Sequence, residues 1–295
     1  MTRIRLAADI GGTFTDIALE TPDNLHTTKV LTTPQEPATA VLQGIEDVLI
    51  EAKLLASDVD VFVHGTTLAT NALIERSGAV TALLTTAGMR DSVEMAHENR
   101  FEQYDLAMTR PEPLVPRDLR FGIPERLDST GRVLRDLEIS ELEESIRAMK
   151  ESAVESVAIG FLHSYMNAEH EQRAADFVRA HWPDVAISLS SEVCPEIREY
   201  ERLSTTCANA YIQPLLTRYL EDLESRRRSL GMTCPMLLMQ SGGGLGTLED
   251  ALRFPVRLVE SGPAGGALLS AELARSFELD KALSFDMGGT TAKLC

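Results

Sequence analysis

The sequence predicts an α/β protein, and three observations carry that expectation. Strand and helix signals alternate along the chain instead of clustering into runs of one kind. With 295 residues, 44% of them hydrophobic, the chain is long enough for a sizeable core and about two domains. Glycine and proline turns punctuate its opening stretches at short intervals, and no internal repeat is present.

Residues 4–9, 14–20 and 25–32 read as three strands, joined by Gly11-Gly12 and by Pro22-Asp23-Asn24. Two short connections in succession make an antiparallel meander. After Pro34, the residues Val41, Leu42, Ile45, Val48 and Leu49 recur at helical spacing. A strand at 59–63, a helix from about Thr67 to Arg76 stopped by Gly78, and a strand at 79–85 follow. That succession is the order of a ribonuclease-H-like layered fold. Prolines 111, 113, 116 and 124 mark residues 109–136 as an insertion or linker. A helix at 141–150, a strand at 156–162, a helix at 168–180 and a strand at 186–190 complete a first lobe over 1–190. Helices dominate 200–230, before a strand at 235–240, a glycine turn at 241–244 and a last strand at 282–286, so 200–295 reads as the incomplete start of a second lobe.

Charge and composition exclude several functions. The formal net charge is −17, which leaves no basic footprint for nucleic acid or an anionic membrane. The longest basic run, Arg226-Arg227-Arg228, follows Glu221, Asp222 and Glu224 and reads as a solvated helix face. No window approaches the roughly 18 apolar residues of a membrane span, and the apolar stretch 4–8 is cut by Asp9, too short for a signal peptide. The expectation is a cytoplasmic protein. Cys194, Cys207, Cys234 and Cys295 match neither a zinc pattern nor a disulfide scaffold, and the six histidines lack ligand spacing.

The sharpest motif is Asp9-Ile10-Gly11-Gly12-Thr13-Phe14-Thr15-Asp16, where the first strand turns into the second. Two glycines let the backbone approach an anion, with Thr13 and Thr15 as hydroxyl donors. Asp9, at the strand end, is placed to hold magnesium through water. A plain Gly-Gly hairpin is the simpler account of one such motif. A second copy, Asp286-Met287-Gly288-Gly289-Thr290-Thr291-Ala292-Lys293, favours nucleotide binding, because two such hairpins can clamp a polyphosphate from opposite sides. Asp9 and Asp286 are then the candidate catalytic carboxylates, and Asp16, Gly288, Gly289, Thr290, Thr291 and Lys293 join the candidate phosphate contacts.

Glu260-Ser261-Gly262-Pro263-Ala264-Gly265-Gly266 leads into an apolar helix, with Gly262 expected at the cap and Pro263 at the first helical position. Gly262 and Gly265 are therefore further anion candidates, although a tight strand-to-helix turn accounts for them equally well. His64-Gly65-Thr66-Thr67-Leu68-Ala69-Thr70-Asn71 follows a strand and opens a helix. Strand carboxyl ends are where α/β proteins place ligand groups, which makes His64, Thr66, Thr67 and Asn71 candidate substrate contacts; capping by Thr66 or Thr67 is the blander account. The chain lacks a Walker loop, a G-x-S-x-G elbow and a Rossmann glycine pattern after a strand.

Together with Pro111–Arg117 in sequence, the stretch 192–202 (EVCPEIREYER) and residues 239–244, these motifs resemble the A subunit of the hydantoinase/oxoprolinase family, within the wider actin and hexokinase superfamily. The resemblance implies an enzyme that uses ATP and Mg2+ to phosphorylate the carbonyl oxygen of a cyclic amide before water opens the ring, working with a B-type subunit. It leaves two alternatives, an ATP-dependent ketone carboxylase of the same family and a non-catalytic nucleotide-binding assembly module. Subunits of this kind run well past the second glycine motif, whereas this chain ends soon after Asp286. The expectation is thus a fragment, a truncated frame or one piece of a split subunit, which alone folds its first lobe and hydrolyses ATP negligibly.

Overall fold

The computed structural model describes residues 3–97, 102–287 and 292–294 and is α/β. In chain order the elements are β1 (Arg5–Ile10), β2 (Phe14–Glu20), β3 (Leu25–Leu31), α1 (Pro37–Ala52), β4 (Val61–Thr66), α2 (Leu68–Ile74), β5 (Thr81–Thr86), α3 (Ser92–Met95) and β6 (Arg120–Ile123). There follow β7 (Arg126–Leu127), β8 (Val133–Arg135), α4 (Ile139–Glu151), β9 (Ser156–Gly160), α5 (Glu169–His181), β10 (Ala186–Leu189), α6 (Ser190–Val193) and α7 (Glu199–Ser229). The last are β11 (Met236–Met239), β12 (Leu245–Thr247), α8 (Leu248–Arg253), α9 (Ser261–Ser276), β13 (Phe285–Met287) and β14 (Ala292–Leu294). Among the described residues no helix is long and apolar enough to cross a membrane.

Two compact units result, one of Met1–Ser77 with Leu215–Cys295, the other Gly78–Pro214. In the first, six strands form one sheet in the order β12-β11-β4-β1-β2-β3. The meander β1-β2-β3 is antiparallel, and β4 and β11 add in parallel. Alternation along each strand then sorts the side chains. Leu6, Ala8, Ile10, Ile17 and Leu19 are buried, as are Val41, Ile45 and Val48 of α1, whose contacts are with β1, β2 and β3. Gly44 permits that approach, since a Cβ there would lie 2.5 Å from Ile17 Cγ1. Asp9, Asp16 and Lys29 belong to the other set, facing away from the core.

In the second unit four parallel strands run β10-β9-β5-β6 over a core that includes Leu83, Val157, Ile159, Phe161, Leu142 and Val178. A buried polar network crosses its strand ends. Glu171 accepts hydrogen bonds from Phe161 N (3.0 Å), Ser190 Oγ (2.6 Å) and Ser191 N (2.9 Å). Arg202 donates to Ser190 Oγ (3.2 Å), Glu196 O (2.9 Å) and Phe161 O (3.2 Å). Both side chains are fully buried, which gives the 192–202 stretch a structural purpose its sequence did not announce.

Several boundaries differ from expectation. The strand expected at 59–63 occupies Val61–Thr66, the register that sets it beside β1 from end to end. The proline-rich stretch is not simply a linker: its far half holds β6, β7 and β8, runs of two to four residues too short to show periodicity. Residues 236–238 pair with β4, so this segment belongs to the first sheet, and compactness divides the chain after Ser77 and Pro214, a different partition from one near residue 190.

Candidate functional site

At the carboxyl end of β1 the chain bends through Gly11-Gly12-Thr13 into β2. Gly11 N–H donates to Phe14 O at 2.9 Å, and a Cβ at Gly11 would sit 3.1 Å from that same oxygen, so the turn is tight. Other segments tie it down. Thr32 donates through Oγ1 to Gly11 O (2.9 Å) and through N–H to Thr13 O (2.9 Å). Thr67, by its N–H (3.0 Å) and its hydroxyl (3.1 Å), donates to Ile10 O, and Asn71 Nδ2 donates to Thr67 Oγ1 (3.3 Å).

A cavity of about 530 Å³ opens over this bend, entirely within the first unit. Asp9, Gly11, Gly12, Thr13, Asp16, Thr67, Asn71, Gly262, Asp286 and Lys293 line it, along with Lys29 and Thr70. β13 and β14 pair with Asp286 opposite Lys293, so the second motif contributes a carboxylate and an ammonium. Gly288, Gly289, Thr290 and Thr291 lie outside the described residues.

Charge inside the cavity is unevenly matched. Lys29 pairs with Asp16 at 2.8 Å and Lys293 with Glu260 at 3.0 Å. The Asp9 carboxyl is held above the usual carboxylate range, first by burial among its neighbours and then by Asp16 and Asp286, with Lys293 pulling the other way. A group in that position gains from an incoming cation. Among the described residues no trio of His, Cys, Asp or Glu is close enough to hold a metal by protein ligands alone.

Gly262 and Pro263 stand differently from the sequence expectation. α9 begins at Ser261, and its N-cap is Glu260 in the left-handed region (φ 61°), fixed by its N–H on Thr70 Oγ1 (3.0 Å). Ser261 Oγ donates to Thr66 O at 3.3 Å, docking the helix start on β4. Gly265 lines a second cavity of about 720 Å³, which shares Asp9, Asp16, Lys29 and Gly262 with the first and is walled by Ala7, Ala18, Val63, Met239 and Leu269.

Thr15, His64 and Thr66, three of the expected ligand contacts, are among the lining of neither cavity. Strand alternation turns all three to the buried side of the sheet. Thr15 Oγ1 bonds Thr32 Oγ1 at 3.0 Å, and Thr66 Oγ1 accepts from Leu68 N at 3.2 Å. His64 is fully buried, with Nδ1 3.1 Å from Ala8 O and Nε2 2.7 Å from the Tyr219 hydroxyl. A carbonyl only accepts, so Nδ1 carries the proton and Nε2 accepts from Tyr219.

Burial pushes the His64 imidazole down from 6.5 to about 4, against the opposing effect of Ala8 O. Between those values the unfolded chain binds a proton that the folded one refuses. Stability is therefore intact above about pH 6.5 and is lost as pH falls toward 4, by about 3 kcal/mol in full. Urea midpoints across this range will show the slope. Tyr219→Phe, which leaves Nε2 without its donor, is expected to cost about 1–3 kcal/mol at pH 8.

Sequence reading missed Thr32, Thr70, Lys29 and Glu260. None stands in a glycine motif's core, and each reaches the cavity or its supports through strand pairing or helix docking that only the fold creates. Within the sequence, the nearest signals were Thr70 inside the His64–Asn71 stretch and Glu260 at the head of the Gly262 motif.

An open α/β sheet whose strand ends carry a glycine bend, carboxylates and lysines over one cavity is the arrangement in which such proteins bind ligands. The chain belongs to the hydantoinase/oxoprolinase family: the model of the hydantoinase/oxoprolinase N-terminal region matches residues 5–182, and that of hydantoinase/oxoprolinase matches 202–295. Caprolactamase subunit alpha of Pseudomonas jessenii is 37% identical over 295 residues, which cover 97% of this chain and 42% of that one. The crystal structure of the ATP-dependent caprolactamase from Pseudomonas jessenii superposes with a TM-score of 0.88 at 36% identity, over 98% of this chain and 43% of that one. A nucleotide-free acetone carboxylase shares the fold, with a TM-score of 0.90 at 24% identity, over 100% of this chain and 44% of that one. The chain thus spans less than half the length of these relatives.

Proposed function

We propose that this chain forms the phosphate-handling part of an ATP-dependent hydrolase that acts on a cyclic amide, in a ribonuclease-H-like lobe of the actin and hexokinase type. The observation that carries the reading is the polar cavity on which both Asp-x-Gly-Gly-Thr motifs converge through Asp9, Gly11, Gly12, Thr13, Asp286 and Lys293. Its excess of carboxylate fits a nucleotide accompanied by a divalent cation, because Asp9 is unfavourably charged without one.

In this reading Asp9 would hold Mg2+, which prefers oxygen ligands and keeps part of its hydration. Gly12 and Thr13, whose backbone lines the cavity, would hold the phosphates, and Lys293, paired with Glu260 at 3.0 Å, would be the cation at hand to balance their charge. Bound ATP would supply a phosphoryl group to the amide oxygen and so make the carbonyl carbon electrophilic: water would add there, the ring C–N bond would break with the nitrogen leaving as an amine, and hydrolysis of the resulting acyl phosphate would release phosphate with the former carbonyl oxygen. The task left to the protein is positioning and charge neutralisation, and Thr32 and Thr67 serve it by fixing the Gly11-Gly12 bend. The hydrolytic reading follows the caprolactamase alpha subunit at 37% identity; the acetophenone carboxylase gamma subunit of Aromatoleum aromaticum is 29% identical over 96% of this chain, so an ATP-dependent ketone carboxylase stands beside it as the alternative. The caprolactamase relative is named a subunit, and we assign this chain a partner subunit of the B type.

The test is phosphate release from ATP by the full-length protein, with and without a B-type subunit, against a panel of lactams, hydantoins and ketones. Release stimulated by a lactam or hydantoin, with ring-opened product, supports the reading. Stimulation by a ketone with bicarbonate would replace it by the carboxylase, and ATP binding without stimulation by any of them would replace it by the assembly module.

A further inference from the structure

Asp9 is flanked on the two sides of β1 by unlike neighbours. Toward β2 its directly paired residue is Asp16, a like charge on the same face of the sheet. Toward β4 its paired residue is Gly65. A Cβ built on Gly65 would meet Asp9 Oδ1 at 2.7 Å, Asp9 Cγ at 3.4 Å and Asp9 Cβ at 3.7 Å, and these are its three nearest atoms. The carboxylate therefore lies over β4, in the space a side chain at 65 would fill.

Backbone conformation does not call for glycine at this position. Gly65 is inside a regular strand and is absent from the residues with positive φ, and a glycine in a strand interior weakens the strand. The close approach of Asp9 is what the missing side chain provides. We infer that Gly65 is a positioning residue for Asp9: it forms the slot that lets the carboxylate turn away from Asp16 and stand over β4, at the border of both cavities. With a methyl at 65, Asp9 must swing back toward Asp16 or out of the slot. This inference rests on the proposed role of Asp9 as the cation-holding group.

The experiment compares wild type, Asp9→Asn, Gly65→Ala and the double variant in the full-length protein, measuring lactam-stimulated phosphate release against Mg2+ or Mn2+ concentration. Gly65→Ala is expected to raise the half-saturating cation concentration and lower kcat by about tenfold or more, while the apparent KM for the lactam moves less than about twofold. The double variant is expected to be no slower than Asp9→Asn, since both changes remove one function. Wild-type turnover in Gly65→Ala, or effects that multiply in the double variant, would overturn the positioning role. Wild-type turnover in Asp9→Asn would overturn instead the reading of the site on which it rests. If Gly65→Ala does not fold, Asp9→Ala/Gly65→Ala should fold with the unfolding midpoint of Asp9→Ala alone, because the added methyl meets Asp9 first. A double variant that stays unfolded would equally overturn the inference.

Discussion

Asp9→Asn is expected to lower lactam-stimulated phosphate release by at least about 100-fold, the size of loss that follows removal of one preorganised electrostatic contact to a developing charge. The substitution keeps the shape of the side chain and removes its charge. At the same time it is expected to raise the thermal midpoint. Burial, Asp16 and Asp286 all oppose ionisation of Asp9, so its folded-state pKa stands above the unfolded one, and the charged form costs stability at neutral pH. Opposite signs for stability and activity distinguish a strained functional carboxylate from a structural one, whose loss lowers both. Differential scanning calorimetry beside the phosphate assay reads the two signs, and a fall in both would remove Asp9 from the role given to it.

Arg202→Met is expected to cost about 3–5 kcal/mol in urea unfolding, more than Tyr219→Phe costs. Arg202 and Glu171 are both fully buried and meet through Ser190 Oγ, which donates to the carboxylate and accepts from the guanidinium. Methionine fills much of the volume but leaves Glu199, whose Oε1 pairs with Arg202 at 3.2 Å, without its cation, and strips Phe161 O, Glu196 O and Ser190 Oγ of their donor. Glu171→Gln keeps the packing and disturbs the same network through Ser190 Oγ, so combining the two substitutions should cost less than the sum of each alone. A loss below about 1 kcal/mol for Arg202→Met would show that water or rearrangement replaces the network.

How much of this was legible in the sequence depended on whether the signal was local. The meander at 5–31 was readable because turn residues and period-two alternation are both local, and its alternation also places Asp9 and Asp16 on one face. The convergence of the two Asp-x-Gly-Gly-Thr motifs on one cavity was suggested by their repetition, although four of the residues concerned lie outside the described ones. The same alternation, applied one strand further, turns His64 and Thr66 away from the cavity; strand 61–66 had to be placed in its correct register before that followed. β6 was hidden because four residues hold too little periodicity, and its place beside β5 arises from pairing distant in sequence. Gly65 was read as part of a capping motif. Its closeness to Asp9 exists only across two strands, 56 positions apart in the chain, as the His64 bond to Ala8 O also is.

In the proposed reaction the carbonyl oxygen of a cyclic amide receives the phosphoryl group at the cavity over Gly11-Gly12. The most direct measurement supplies the full-length protein with ATP and a lactam labelled with 18O in its carbonyl group, and analyses the released phosphate by mass spectrometry. Label in the inorganic phosphate, absent in Asp9→Asn, is the expected result. Phosphate free of label, with all the 18O retained in the ring-opened acid, would contradict phosphorylation of the amide oxygen.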